Sequence, residues 1–314
     1  MTVAVGDPSG AEGIAHPLCD GGAPGWAAEW GEDSQFGPYA ILELPRRGGG
    51  KPVRQRWRWI PAGSFQMGSA ENEPGRWNDE GPRHWVRLTR GYWMMDTACT
   101  QALWCAVMTD EGNPSYFQDP ERPVEQVSWN DVARFVVRLN GLIDGLASGL
   151  PTEAQWEYAC RAGSDSALYR TAGTSGAIEI VGTHNAPALD GIAWYGGNSG
   201  VDFELKNGVD SSGWSEKQYA HRRAGSRKVG KKMPNGWGLY DMLGNVLEWC
   251  DDSMRDYGGE MVVDPRGAST ESRAIRGGSW DFVARGVRCA YRYQYSPEGR
   301  DYNLGFRLVR VQDK

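Results

Sequence analysis

An irregular α+β fold, with a small twisted antiparallel sheet among long loops, is what the sequence predicts, on three observations. Three stretches carry apolar residues at helical spacing and begin on a capping residue, and all of them fall between residues 100 and 163. Two stretches, from Val53 to Trp59 and from His84 to Met95, alternate as half-buried strands do. The chain also holds 43 Gly and 15 Trp in 314 residues, a pairing that favours tight turns and large aromatic anchors over long regular elements.

The elements follow in order. Residues 1 to about 24 are rich in Gly, Pro and Ala without periodicity and read as a loose arm. Tyr39 to Leu44 reads as a strand, and RRGGGKP at 46 to 52 as a turn or link, so residues 1–50 form an arm with a strand packing on a main domain of residues 51–314. In VRQRWRWIPAGSFQMGS the alternation predicts a strand, with Pro61-Ala62-Gly63 as a hairpin turn, and HWVRLTRGYWMM predicts a further strand. Thr100 caps QALWCAVM, and Asn130 opens DVARFVVRLNGLI with Val132, Phe135, Val136, Leu139 and Leu142 on one face. Thr152 opens EAQWEYACRAG, with Gln155 as capping-box partner and Gly163 as the stop. Glu153 and Glu157, four apart on that helix, read as a solvated face. From 164 to 235 the density of Gly, Ser, Asn and Asp allows only short strands.

Composition bounds the function. At 40% hydrophobic and 24% charged the chain is globular, and a net charge of −6 argues against nucleic acid or an anionic membrane as partner. The basic run HRRAGSRKVGKK (221–232) lacks interleaved aromatics and reads as a solvated loop. No run approaches the roughly 18 apolar residues of a membrane span, and the start has no basic segment leading into an apolar one. Six scattered cysteines without a CxxC pair suggest reduced thiols in a cytoplasmic protein.

Six phrases carry a resemblance. IPAGSFQMGS, RPVEQVSWNDV, GLPTEAQWEYACRAG, NGWGLYDMLGNVLEWC, RGGSWD and NLGFRLVR stand in the order found in the formylglycine-generating-enzyme (sulfatase-modifying-factor) family, across about residues 53 to 310. The resemblance implies a variant of the C-type lectin fold. It also implies two metal-binding thiolates shortly after the GGS-aromatic motif, yet the matching stretch, Trp280 to Val287, holds no cysteine. A soft copper ion needs at least two thiolate or imidazole ligands in reach, and Cys289 alone cannot supply them. A second enzymatic branch uses an iron ion on three histidines of an added helical domain. The four histidines here, His16, His84, His184 and His221, are too far apart for one helical turn to join any two.

The segment RGGSWDFVARGVRCAYRYQYSPEGRDYNLGFRLVR (276–310) further resembles the variable region of proteins diversified by retroelements, which copy a template repeat and mutate its adenines. Mutable AAC or AAT codons reach Asp, Phe, Val, Gly, Tyr, Ser and Asn. That set includes Asp281, Phe282, Val283, Gly286, Tyr293, Tyr295, Ser296, Asp301, Tyr302 and Asn303, while Gln294 and Glu298 fall outside it. All twelve are expected ligand-binding positions, with Trp280, Arg285, Arg288, Arg292 and Phe306 among the residues that hold the site. Aromatics among small polar residues suit a protein ligand, as in antibody paratopes. Alanine at Tyr293, Tyr295 and Tyr302 should therefore leave the fold intact. The alternative is a non-haem metal-dependent oxidoreductase. No cofactor is required by the display reading, although Asn245 and Glu248, in a loop rich in oxygen ligands, are candidates for a structural calcium or magnesium.

Overall fold

The structure, a computed structural model, describes residues 24–46, 48–171, 176–180, 184–215 and 217–311, so the expected arm at 1–24 lies almost wholly outside the described residues. Strands β1 (Glu29–Asp33), β2 (Gly37–Leu44), β3 (Val53–Ile60), β4 (Gly63–Met67), β5 (His84–Leu88) and β6 (Tyr92–Met95) come first. Helices α1 (Gln101–Val107), α2 (Trp129–Leu142) and α3 (Glu153–Arg161) follow, then β7 (Val209–Asp210), β8 (Arg223–Ala224), β9 (Leu247–Trp249) and β10 (Val262–Val263). The last are β11 (Arg273–Arg276), β12 (Arg292–Tyr295), β13 (Leu304–Gly305) and β14 (Val309–Val311). The main sheet runs β1-β2-β3-β6-β14, beside smaller sheets β10-β5-β4, β12-β11-β9-β13 and β7-β8. Pairing is antiparallel except for β10 with β5 and β13 with β9.

The hairpin expected at Pro61 to Gly63 does not form. Ile60 faces Tyr92 and Gly63 faces Leu88, so β3 and β4 together run against β5 and β6 as one long bent ribbon. Three steps on one strand oppose four on the other. This one-residue bulge bends the ribbon so that each strand leaves the main sheet for the smaller one. The same bend splits the single strand expected from His84 to Met95. Gly91 sits at the corner, where an added Cβ would stand 2.2 Å from the Trp59 ring.

The helices begin where their caps place them. Thr100 accepts from the Leu103 N–H, and Thr152 forms the expected capping box with Gln155. Helix α2 starts earlier than Asn130, because Ser128 and Asp131 make a reciprocal box that satisfies two otherwise unpaired N–H groups. Ser128→Ala is expected to cost about 1 kcal/mol in urea unfolding, and an unchanged midpoint would count against that cap. At the end of α3 it is Ala162, not Gly163, that first turns left-handed (φ 45°), with Gly163 following at 84°.

Two apolar clusters meet across the sheets. One gathers Trp57, Trp104, Phe135, Trp249 and Phe306 beneath α1 and α2, and the other gathers Trp156, Tyr169, Met242 and Val287 around α3. The segment 276–310 runs along both. Among the described residues no helix is long and apolar enough to cross a membrane.

Candidate ligand-binding surface

The segment 276–310 is fastened to the rest of the protein through its arginines. Strand β11 ends on Arg276, and Gly277 and Gly278 take left-handed backbone (φ 97° and 70°) against the Trp156 ring and the Gly286 carbonyl. A Cβ at 278 would stand 2.3 Å from that carbonyl, and left-handed backbone disfavours a side chain at both positions, which explains the paired glycines. Arg276 donates to Glu153 at 3.2 Å, to Glu157, and to the Cys289 carbonyl at 2.9 Å. Arg292 makes a two-pronged contact with Glu153 at 2.7 and 2.5 Å and reaches the Asp79 carbonyl at 3.1 Å. Arg288 binds Glu80 at 2.8 and 2.5 Å and Glu73 at 2.6 Å. Arg307 grips Glu248 at 2.7 and 2.9 Å.

These four guanidiniums are buried, and every carboxylate that meets them comes from outside the segment. Burial alone would weaken the charged form of Arg276, Arg288, Arg292 and Arg307, but the facing carboxylates more than reverse it and raise each one. Burial also opposes the Glu157 carboxylate, yet Arg161, Arg276 and the Gly68 N–H hold it below its ordinary value. Glu153 and Glu157 are therefore not the solvated face expected of them: both are buried, because α3 turns that side toward the arginines.

The aromatic frame is equally fixed. Trp280 is buried, with its ring centroid 5.3 Å from Phe117, 5.8 Å from Trp214 and 5.5 Å from Tyr302. Phe306 packs 5.2 Å from Phe135. Arg285 is half-buried, and its guanidinium lies 3.9 Å over the Trp77 ring.

The expected ligand-binding residues divide by exposure. Tyr293 (54% exposed), Gln294, Ser296 and Glu298 stand out along β12 and the turn after it. Asp281, Phe282, Val283, Tyr295, Asp301 and Tyr302 are half-buried. Tyr295 leans on Trp249 at 6.2 Å and Tyr302 on Trp280, so these two tyrosines also support the fold, unlike Tyr293. Gly286 and Asn303 are buried. The Asn303 amide donates to Asp281 at 3.0 and 3.1 Å, and burial raises the Asp281 carboxyl above its ordinary value.

Asn245 and Glu248 have other occupations than a cation. The Asn245 side chain accepts from the Arg227 N–H at 2.8 Å and donates to the Arg227 carbonyl at 3.0 Å, clasping one loop to another. Both Glu248 oxygens are taken by Arg307 and by the Trp156 indole N–H at 2.7 Å. Among the described residues no three His, Cys, Asp or Glu side chains gather to hold a metal. The copper site implied by the family resemblance does not fit either: Phe282 and Val287 lie in the stretch that would carry its thiolates. The Cys289 sulfur instead lies 3.6 Å from Cys160, against α3.

Two exposed aromatic residues outside the segment border it, and sequence reasoning did not single them out. Trp77 (45% exposed) lies beneath Arg285, and Tyr116 (47% exposed) lies 6.3 Å from Tyr302. The Tyr116 loop is held by buried Glu125, which accepts from the Phe117 N–H at 2.8 Å while its second oxygen finds no hydrogen-bond partner among the described residues. Burial pushes the Glu125 carboxyl up to about 7 against the pull of the Phe117 and Tyr116 N–H groups, with Asp301 adding to the rise. Folded protein then binds the proton more tightly than unfolded chain, so Glu125 costs stability as pH rises from about 4.5 to about 7. Glu125→Gln keeps the acceptor and removes the titration. Its melting temperature should exceed the parent's at pH 8 by more than at pH 5, and an equal difference at both would contradict this.

Comparison with known proteins supplies the wider context. Residues 52–312 match the model of the sulfatase-modifying factor enzyme 1-like domain. The formylglycine-generating enzyme of Streptomyces coelicolor is 28% identical over 309 residues, covering 81% of this chain and 88% of that enzyme. The Bos taurus formylglycine-generating enzyme is 31% identical over 196 residues, and the match spans only 44% of its length. Among solved structures, Treponema denticola variable protein 1 superposes with a TM-score of 0.63 at 28% identity, over 86% of this chain and 98% of the other.

Proposed function

Because the chain belongs to the sulfatase-modifying factor enzyme 1-like family and has its C-type-lectin-like fold, we propose that it uses this scaffold to display a ligand-binding surface. The surface is formed by the exposed and half-buried positions of segment 276–310 between its frame residues, without the buried Gly286 and Asn303, and its ligand is a protein. One observation carries the reading: Arg276, Arg288, Arg292, Arg307 and Trp280 are buried and tied to partners outside the segment, while Tyr293, Gln294, Ser296 and Glu298 stand exposed. A surface built this way tolerates exchange of its exposed side chains without unfolding. The likeness to a variable protein supports the further step that these positions are diversified by adenine mutagenesis.

A protein ligand suits the shape as well. One cleft bordering the segment, between Arg300, Gln126 and Glu111, has a volume of about 170 Å³, below the roughly 300–1,000 Å³ of small-molecule sites. No metal is needed for this role, and no nucleic acid or membrane enters it.

Sequencing the DNA downstream of the gene tests the diversification. The expected result is a near-copy of the 3′ end whose mismatches fall at template adenines in the codons of the displayed residues, beside a reverse-transcriptase gene. Finding neither would sink the retroelement reading. The relatives named as formylglycine-generating enzymes keep an oxidoreductase role as the alternative. One equivalent of copper or iron retained by the purified protein through dialysis would favour it.

A further inference from the structure

We propose that Trp77 and Tyr116, neither of them in the segment 276–310, are constant contact residues of the display surface, meeting a protein ligand whichever side chains the segment presents. The inference rests on the display reading above. Each residue borders the segment at a different place, Trp77 under Arg285 at 3.9 Å and Tyr116 beside Tyr302 at 6.3 Å.

Both rings are nearly half exposed, on backbone that is fixed. The segment's own arginines hold the Trp77 loop: Arg288 reaches the Gly75 carbonyl at 3.1 Å as well as Glu73 and Glu80, and Arg292 reaches the Asp79 carbonyl. The Tyr116 carbonyl accepts from Asn207 at 2.7 Å, and the neighbouring Phe117 is bonded through its N–H to Glu125 and its carbonyl to Gln101 at 2.8 Å. An aromatic ring on rigid backbone loses little freedom when a partner covers it and removes a large apolar area from water, the combination that makes binding hot spots. The charges beside the two rings are mixed, with Arg285 over Trp77 and Asp301 acting on Tyr302 next to Tyr116, so a mixed protein surface fits better than a polyanion or polycation.

The test uses a phage library of the full chain with the displayed codons randomised, selected separately against lysozyme, streptavidin and albumin. Trp77→Ala and Tyr116→Ala are then placed in each selected binder, and Kd is measured by biolayer interferometry. In every binder at least one of the two changes should weaken Kd by about tenfold or more, with the melting temperature within about 2 °C of the parent. Should an alanine variant melt lower, Trp77→Arg and Tyr116→Arg, which keep bulk and remove the ring, are read the same way. Binders whose Kd moves less than about twofold on either change would overturn the proposal while leaving the display reading in place. A library that yields no binder to any target would overturn both.

Discussion

Glu157→Ala is expected to cost about 3–5 kcal/mol of folding stability, the size found when one partner of a buried ion pair is removed. Glu157 is buried, accepts from Arg161 at 2.8 Å and from the Gly68 N–H at 2.8 Å, and also meets Arg276. Alanine would leave Arg161 without its carboxylate and Arg276 with Glu153 alone, both out of water. Urea unfolding at pH 7 measures the loss, and one below about 1 kcal/mol would show that water reaches the site. The pH dependence has a definite sign. Glu157 sits below its ordinary value in the folded state, so its contribution is full above about pH 4.5 and fades as pH falls through the lower folded value. The parent should lose stability in that acid range more steeply than Glu157→Ala does.

The second large effect separates frame from display. Trp280→Ala is expected to cost about 3–5 kcal/mol, since the ring is buried among Phe117, Trp214 and Tyr302. Tyr293→Ala, thirteen positions on in the same segment, should stay within about 0.5 kcal/mol because that ring is exposed. Tyr302→Ala and Tyr295→Ala fall between, as each ring leans on a buried tryptophan. Thermal melts of the four variants give the order directly. Equal losses at Trp280 and Tyr293 would remove the distinction on which the display reading depends.

Local signals were legible in the sequence, and long-range pairings were not. The caps Thr100 and Thr152 and the Gly-rich stretch after α3 could be read because capping and turn chemistry are decided within a few residues. The α+β class followed from the helical and strand periodicities, and its C-type-lectin variant from the ordered phrases. The bent ribbon could not be read, since Pro61-Ala62-Gly63 looks the same whether the strands around it pair with each other or with a partner thirty residues away. The burial of Glu153 and Glu157 was hidden because helical spacing shows which residues share a face but not what faces them. A usable signal did exist: a segment with seven arginines among apolar residues needs buried carboxylates, and Glu153 and Glu157 sit one turn apart to meet Arg276 and Arg292. Nothing comparable marked Trp77 or Tyr116, which lie on loops that meet the segment only in space.

Strand β14 lies downstream of the displayed positions and closes the edge of the main sheet against β6, while Arg307 and Phe306, just before it, fill the centre. A chain cut short within segment 276–310 would therefore not be a shortened form of the same fold. It would lack the closing strand, leave Glu248 buried without its guanidinium, and expose an apolar cluster to chaperones and proteases. Translation through the whole of segment 276–310 is thus a condition for folding.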